Sequence, residues 1–268
     1  MVDVKKITSL QNPVVKQAVR LMKRSERDET KLFLIEGYRE LFHAISALVP
    51  IETLFFCPEL FLGENEEALM GTVKTRGSLL LECTKEVFAK LSYRDRPDGL
   101  VAIAHQMSPS WDLFSSSAAP FFVVAEAIEK PGNLGTILRS SDAANVDGLF
   151  VCDRCTDLYN PNVVRASVGT LFTVKAKEVT SIELFSWLKE RGIQIVAATP
   201  SADKEFTHVD LTGPVAIVVG TEQLGLTDFW MERADIRVKI PMLGQANSLN
   251  VGSATTLLLY EVVRQRRS

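Results

Sequence analysis

Along the second half of the chain, short unbroken apolar runs alternate with segments whose apolar positions recur every three or four residues. "FFVVAEAI", "GLFVC", "IQIVAATP", "VAIVVG" and "DIRVKI" have the length and β-branched content of buried strands. "NLGTILRSSDAAN", "NPNVVRASVG", "TSIELFSWLKERG", "DFWMERA" and the final "NVGSATTLLLYEVVRQRR" have helical spacing. Strands this apolar, each followed by a helix, predict a parallel sheet covered on both faces. The first hundred residues mix the same periods. "NPVVKQAVRLMKR" (with Pro13 in its first turn), "YRELFHAISALV" and "TKEVFAKL" read as helices; "KLFLIEG", "TLFFC", "SLLLEC" and "GLVAIAHQ" read as strands. They predict a small α/β sandwich. Between the halves, "SPSWDLFSSSAAP" has no sustained period and is rich in Ser, Pro and Ala. The expected organisation is a domain over 1–107, a linker over 108–120 and a second domain over 121–268.

Composition narrows the class. A chain of 268 residues, 46% hydrophobic and 24% charged, can bury two cores without staples. Four scattered cysteines do not make a disulfide framework, no stretch is long and apolar enough to span a bilayer, and the first residues lack a signal-peptide core. A cytoplasmic protein without membrane contact is expected. The formal net charge is −3, yet residues 1–31 carry +4, so a nucleic-acid partner would be held by a local patch in which Arg20, Lys23 and Arg24 are candidates. A solvated helix face of mixed charge explains the same residues equally well.

Chemistry concentrates where three strands of the second domain end. After "FFVVAEAI" come Pro131, Gly132, Asn133 and Gly135, then a helix bearing Arg139. This is neither a dinucleotide fingerprint nor a P-loop. Arg139 could hold a phosphate or stabilise an oxyanion, or simply pair with Asp142 one turn on. After "VAIVVG" come Glu222, Gly225 and Leu226, with Gly220 able to admit a ligand close to the backbone. After "DIRVKI" comes "PMLGQANSLNVG", in which Ser248 and Asn250 can cap the last helix. Cys152 and Cys155 form a C-x-x-C without further ligands, and His43, His105 and His208 are isolated, so no metal site is expected.

In this order, "EKPGNLGTILRSSDAANVDGLFV", "VAIVVGTEQLGLT" and "VKIPMLGQANSLNVGSATTLLLYEVVRQR" resemble the three motifs of the SpoU/TrmH branch of the SPOUT methyltransferases, over most of 121–267. "ITSLQNPVVKQAVRLMKRSERDETKLFLIEGYRELFHAI", with "YRDRPDGLVAIA", is similar to the ribosomal-protein-like substrate-binding domain of members acting on ribosomal RNA. The resemblance implies an α/β fold whose C-terminal parallel-sheet domain holds a deep trefoil knot, an exception to the rule against knots. It implies transfer of a methyl group from S-adenosylmethionine to a ribose 2′-hydroxyl of structured RNA, most simply ribosomal RNA, with transfer RNA the alternative substrate. A homodimer is implied as well. An inactive RNA-binding or assembly factor of the same fold is the competing reading, against which the intact motif residues count.

By position, Gly220, Ile240 and Leu249 would contact the cofactor while Glu222, Gly225, Leu226, Met242 and Asn250 shape its pocket. Arg139 matches the catalytic arginine and Asn133 the motif asparagine, with Arg165 either a further phosphate contact or an ordinary surface arginine. Arginine side chains hold their proton at neutral pH, so positioning and charge stabilisation are the expected roles. Two positions depart from the pattern: Asn145 stands where a glycine commonly follows the first helix, and Thr221 where asparagine commonly precedes the glutamate.

Overall fold

The structure, a computed structural model, describes residues 5–115, 117–221 and 223–267. The chain divides into two compact units, Met1–Met107 with Tyr159–Phe172, and Ser108–Leu158 with Thr173–Ser268.

The first unit runs β1 (Lys5–Ile7), α1 (Pro13–Arg20), α2 (Arg24–Thr30), β2 (Leu32–Glu36), α3 (Tyr38–Ser46), β3 (Ile51–Phe56), α4 (Glu66–Thr75), β4 (Leu79–Cys83), α5 (Lys85–Leu91) and β5 (Leu100–His105). Its sheet has the order β1-β4-β3-β5-β2, and β5 is antiparallel to both neighbours. Three of these elements escape the sequence pattern. β1 and α2 are short, and α4 buries little beyond Leu69 and Val73, so its period is faint. The helix read as continuous from Pro13 breaks after Arg20. There Arg27, 1% exposed, turns inward to donate to the carbonyls of Leu21 and Met22 at 2.8 and 2.9 Å, which removes it from the basic patch.

The second unit runs β6 (Phe121–Glu126), α6 (Pro131–Ala143) and β7 (Gly148–Cys152), and continues after an excursion with β8 (Ala176–Val179), α8 (Ser181–Glu190), β9 (Gln194–Ala198), β10 (Lys204–Glu205), β11 (Val215–Val219), α9 (Asp228–Arg233), β12 (Ile236–Lys239) and α10 (Val251–Arg267). All seven strands are parallel, in the order β10-β12-β9-β11-β6-β7-β8. β6, β7 and β11 are buried along their whole length, as unbroken apolar runs require. Asn145 supplies the left-handed residue after α6, at φ 53°, in place of the commoner glycine.

The excursion is α7 (Pro161–Ser167) with its flanks, which packs on β2 in the first unit. Tyr159 anchors it: its hydroxyl donates to the Met107 carbonyl at 2.6 Å and accepts from the Met107 amide at 2.8 Å, while its ring tilts against Phe33 at 4.7 Å. The stretch expected as a linker, 108–120, also contributes to a core. Within this stretch, Trp111 and Phe114 pack into the core of the second unit, Trp111 at 5.1 Å from Trp187 and Phe114 at 4.8 Å from Phe150. A Cβ on Gly148 would overlap the Phe114 ring at 2.6 Å, so that ring is seated in a fitted space.

At the opposite end of the sheet from the three motif loops, Arg266 holds α10 down. Its guanidinium donates to the carbonyls of Ala119 at 2.9 Å and Gly213 at 2.6 Å, just before β6 and β11 begin, and lies 5.2 Å from the Phe121 ring centroid. Arg266→Ala removes charge-assisted bonds that each contribute roughly 1.5–3 kcal/mol where desolvated. Partial exposure reduces this, so a stability loss of about 1–2 kcal/mol is expected, read as a lower urea midpoint at unchanged m-value.

Candidate functional site

Ligands of open parallel sheets settle beyond the carboxyl ends of the strands. Beyond β9, β11 and β12 lies a cavity of about 400 Å³. Its wall is formed by Thr199, Pro200 and Ser201 after β9, by Gly220, Thr221, Leu224 and Gly225 after β11, and by Ile240, Met242, Asn247, Ser248 and Leu249 after β12, with Val251 and Ala254 of α10 closing one side. That size lies within the range of small-molecule sites, and the mixture of apolar walls with short polar groups is typical of them.

The loop after β11 is built to stay shut. Thr221 and Gly225 exchange backbone hydrogen bonds at 3.1 and 3.0 Å, and the Thr221 hydroxyl accepts from the Leu224 amide at 3.0 Å. A threonine therefore closes this turn, as an asparagine side chain would. Gly225 takes φ +70°, and a Cβ on Gly220 would lie 2.4 Å from the Gly225 carbonyl oxygen. Gly220 is thus required by the loop's own return path, a reason that differs from the close ligand approach expected of it. Leu226, expected to shape the pocket, is 8% exposed and packs in the core of the second unit, and is not among the residues of the cavity wall. Glu222 lies outside the described residues.

Behind this loop Glu126, 1% exposed at the end of β6, accepts from the Thr227 amide at 2.9 Å and the Thr227 hydroxyl at 2.6 Å. Burial pushes the Glu126 carboxyl above its ordinary range in spite of these two bonds, with Asp153 adding like charge. Such an acid binds its proton more readily folded than unfolded. Its stabilising contribution is full below the unfolded pKa, near 4.5, and is lost as pH rises through the folded value. Glu126→Gln keeps the contacts to Thr227 and removes the titration, so its thermal midpoint should decline less than the wild type's as pH is raised from 4.5 toward neutrality; parallel curves would refute the assignment.

Asn250 does not line the cavity. Its Oδ1 caps α10 by accepting from the Gly252 amide at 3.0 Å, and its Nδ2 donates to Asn133 Oδ1 at 3.0 Å. The first and third loops are therefore tied directly to each other. A cleft of only about 20 Å³, lined by Glu129, Lys130, Asn133, Thr221, Gln223 and others, joins the first loop to the second. α10 packs along α6, where Gly252 leaves room for Thr136 and Ser140 bonds Thr256 at 2.6 Å.

Arg139 stands on the exposed side of α6 and is not part of the cavity wall. Asp142 accepts from Thr173, and among the described residues no hydrogen bond or ion pair engages the Arg139 guanidinium, so the pairing considered from spacing is not formed. Arg165, exposed on α7, belongs with the first unit. Arg20 and Lys23 are exposed there, and Arg24 pairs with Asp28 at 3.5 Å. The wall residues after β9 escape the sequence pattern; their only signal is a Thr-Pro-Ser turn at a strand end. Among the described residues no group of three or more His, Cys, Asp or Glu side chains is placed to hold a metal, and no helix is long and apolar enough to cross a membrane.

The chain is similar to known proteins along most of its length. Residues 120–260 match the model of the SpoU rRNA methylase family, and residues 12–102 that of the MRM3-like substrate-binding domain. A 23S rRNA (uridine(2479)-2'-O)-methyltransferase of Streptomyces viridochromogenes is 31% identical over 91% of this chain and 87% of its own. A 23S rRNA (guanosine-2'-O-)-methyltransferase of Shewanella oneidensis is 38% identical over 84% and 96%. The AdoMet-bound structure of an rRNA methyltransferase from Sinorhizobium meliloti superposes with a TM-score of 0.88 at 31% identity, over 97% of this chain and 98% of that one.

Proposed function

The chain belongs to the SpoU rRNA methylase family, and from that premise we propose a division of labour: the loops after β9, β11 and β12 hold S-adenosylmethionine, Asn133 and Arg139 serve the RNA side, and the first unit binds the RNA. The protein is an S-adenosylmethionine-dependent methyltransferase of ribosomal RNA that modifies a ribose 2′-hydroxyl. The observation that carries the division is the convergence of the loops after β9, β11 and β12 on one cavity, with the loop after β6 joined to the loop after β12 by the Asn133–Asn250 bond.

The cavity suits the cofactor. Gly220, Thr221, Gly225, Ile240, Met242 and Leu249 offer closely spaced backbone groups and apolar flanks to a nucleoside, with no cluster of basic side chains to repel a cation. S-adenosylmethionine supplies a methyl group already activated as a sulfonium. What remains for the chain is to align the acceptor hydroxyl, exclude water and favour loss of a proton from a poor acid. Arg139, charged and unengaged among the described residues, is suited to grip the phosphate beside the target ribose and to stabilise negative charge developing on the 2′-oxygen. Asn133, held by Asn250, fixes the loop that leads into its helix.

A homodimer is part of the same reading. Leu257 and Tyr260 of α10 are 44% and 48% exposed and Leu243 is 97% exposed, an apolar surface suited to a second copy. Arg139 stands outside its own chain's cavity wall, which is the position expected of a residue whose site is completed across such an interface. The packing of α10 on α6, pinned at both Asn250 and Gly252, supports the knotted path implied by the family resemblance. Relatives that share both units act on 23S rRNA, which favours ribosomal over transfer RNA and a cytoplasmic site of action. Incubating the protein with methyl-labelled cofactor and ribosomal RNA should yield one alkali-resistant ribose linkage. Transfer to base atoms alone, or to no RNA, would overturn the proposal.

A further inference from the structure

Resting on the reading that the first unit binds RNA, we propose that the exposed face of α3 is a stacking surface for unpaired RNA bases, formed by Tyr38 and Phe42 and flanked by Arg39. Phe42 is 52% exposed, and its ring lies near-parallel to that of Tyr38, at 19° with centroids 6.4 Å apart. The two side chains are one turn apart on the same helix face. Tyr38 is half-buried and Phe42 exposed, and neither belongs to the core cluster that holds Val15, Leu34, Phe55 and Phe88. Leaving the Phe42 ring in water beside a half-buried Tyr38 forfeits burial that would otherwise stabilise the fold, so it calls for an occupant.

The charges on this helix indicate which kind. Its acidic residue, Glu40, is turned inward, 4% exposed and paired with Arg94 at 2.7 Å. Arg39 is exposed, and among the described residues no ion pair or hydrogen bond engages it. At the other end of the helix, Arg76 is fixed by donating to the Ile45 carbonyl at 2.7 Å. Aromatic faces beside guanidinium groups, with the local carboxylate withdrawn, complement bases strung on phosphates better than they complement an apolar protein surface. Duplex bases already stack on each other, so the surface selects single-stranded loops or ends.

The start of the helix that carries the rings is also held in place before any ligand arrives. The Tyr38 amide donates to Asp98 Oδ2 at 2.7 Å, and Gly37 before it takes φ +110°, where a Cβ would collide with Glu40 and Arg94 at 2.5 and 2.6 Å. Mounting contact groups on a rigid helix end limits the entropy lost on binding.

The test measures binding of the full-length protein to a single-stranded RNA of about ten nucleotides and to the duplex of the same sequence, alongside methyl-transfer kinetics on ribosomal RNA. Phe42→Ala is expected to weaken single-strand binding about 5- to 100-fold and to raise KM for RNA, with kcat, cofactor affinity and the salt dependence unchanged. Phe42→Tyr should restore binding. Arg39→Ala should instead lower the slope of log K against log salt by about 0.7, one phosphate contact on a single strand. Unchanged binding by Phe42→Ala, an equal loss on duplex, or a shift in the free protein's sedimentation would overturn the proposal; the last would assign the face to a protein contact. Failure of the wild type to methylate ribosomal RNA would remove the functional reading itself, whereas a fully active wild type with an indifferent Phe42→Ala removes only the stacking surface.

Discussion

Gly220→Ala is expected to deprive the protein of its cofactor while leaving it folded. The added Cβ would lie 2.4 Å from the Gly225 carbonyl oxygen, 2.5 Å from its carbon and 2.7 Å from the Leu226 nitrogen. All three are backbone atoms, which cannot swing aside as a side chain could. The turn must open by several tenths of an ångström, and the paired bonds between Thr221 and Gly225 are the first to be lost. Overpacking of this kind costs about 1–3 kcal/mol. Because the strained loop is also the cavity wall, that cost falls on binding, and the dissociation constant for S-adenosylmethionine should rise about 5- to 150-fold. Calorimetric titration reads this directly. Gly71→Ala is the matched control: its site on α4 is exposed with nothing within 4 Å, and alanine there should add a little helix stability. Unchanged cofactor affinity in Gly220→Ala would mean that the loop is not part of the binding wall.

Arg139→Ala should have the opposite signature. The residue is exposed and contributes nothing to the cavity wall, so the cofactor should bind within about twofold of wild type. A well-placed charge stabiliser is worth about 10²–10³ in rate, and kcat should fall by that factor, with KM for RNA rising as a phosphate contact is lost. Arg139→Lys keeps the charge without the planar fork and should recover only part of the loss. A large loss of cofactor affinity in Arg139→Ala would contradict the RNA-side role.

The parallel sheet, its strand ends and the loops that matter were legible because each depends on a local pattern: a run of β-branched residues, then small and polar ones, then helical spacing. Allegiance is less legible. Periodicity reports that Val163 and Val164 are buried but not which core buries them, and α7 proves to cover β2 of the first unit. Similarly, the Ser-rich surroundings of Trp111 and Phe114 suggested a tether, while the two rings find their partners in Trp187 and Phe150, distant in sequence. At the site, Ile240, Met242, Leu249, Gly220 and Gly225 line the cavity. Leu226 and Asn250 do not, because one has a core to join and the other a helix to cap. Arg27 counted as surface charge only until the broken helix beside it offered two carbonyls to satisfy.

The return of Tyr159–Phe172 to the first unit has a consequence for the order in which the protein forms on the ribosome. Nascent domains generally fold one after another from the N-terminus. Here the N-terminal sheet lacks the cover of β2 until residue 172 has been synthesised, by which time β6, α6 and β7 have already emerged and await their own later strands. Neither half can finish during translation before the other has begun. A stalled chain ending near residue 150 should therefore present β2 without the cover of α7 to chaperones, and the two halves are better regarded as one interleaved folding problem than as beads on a string.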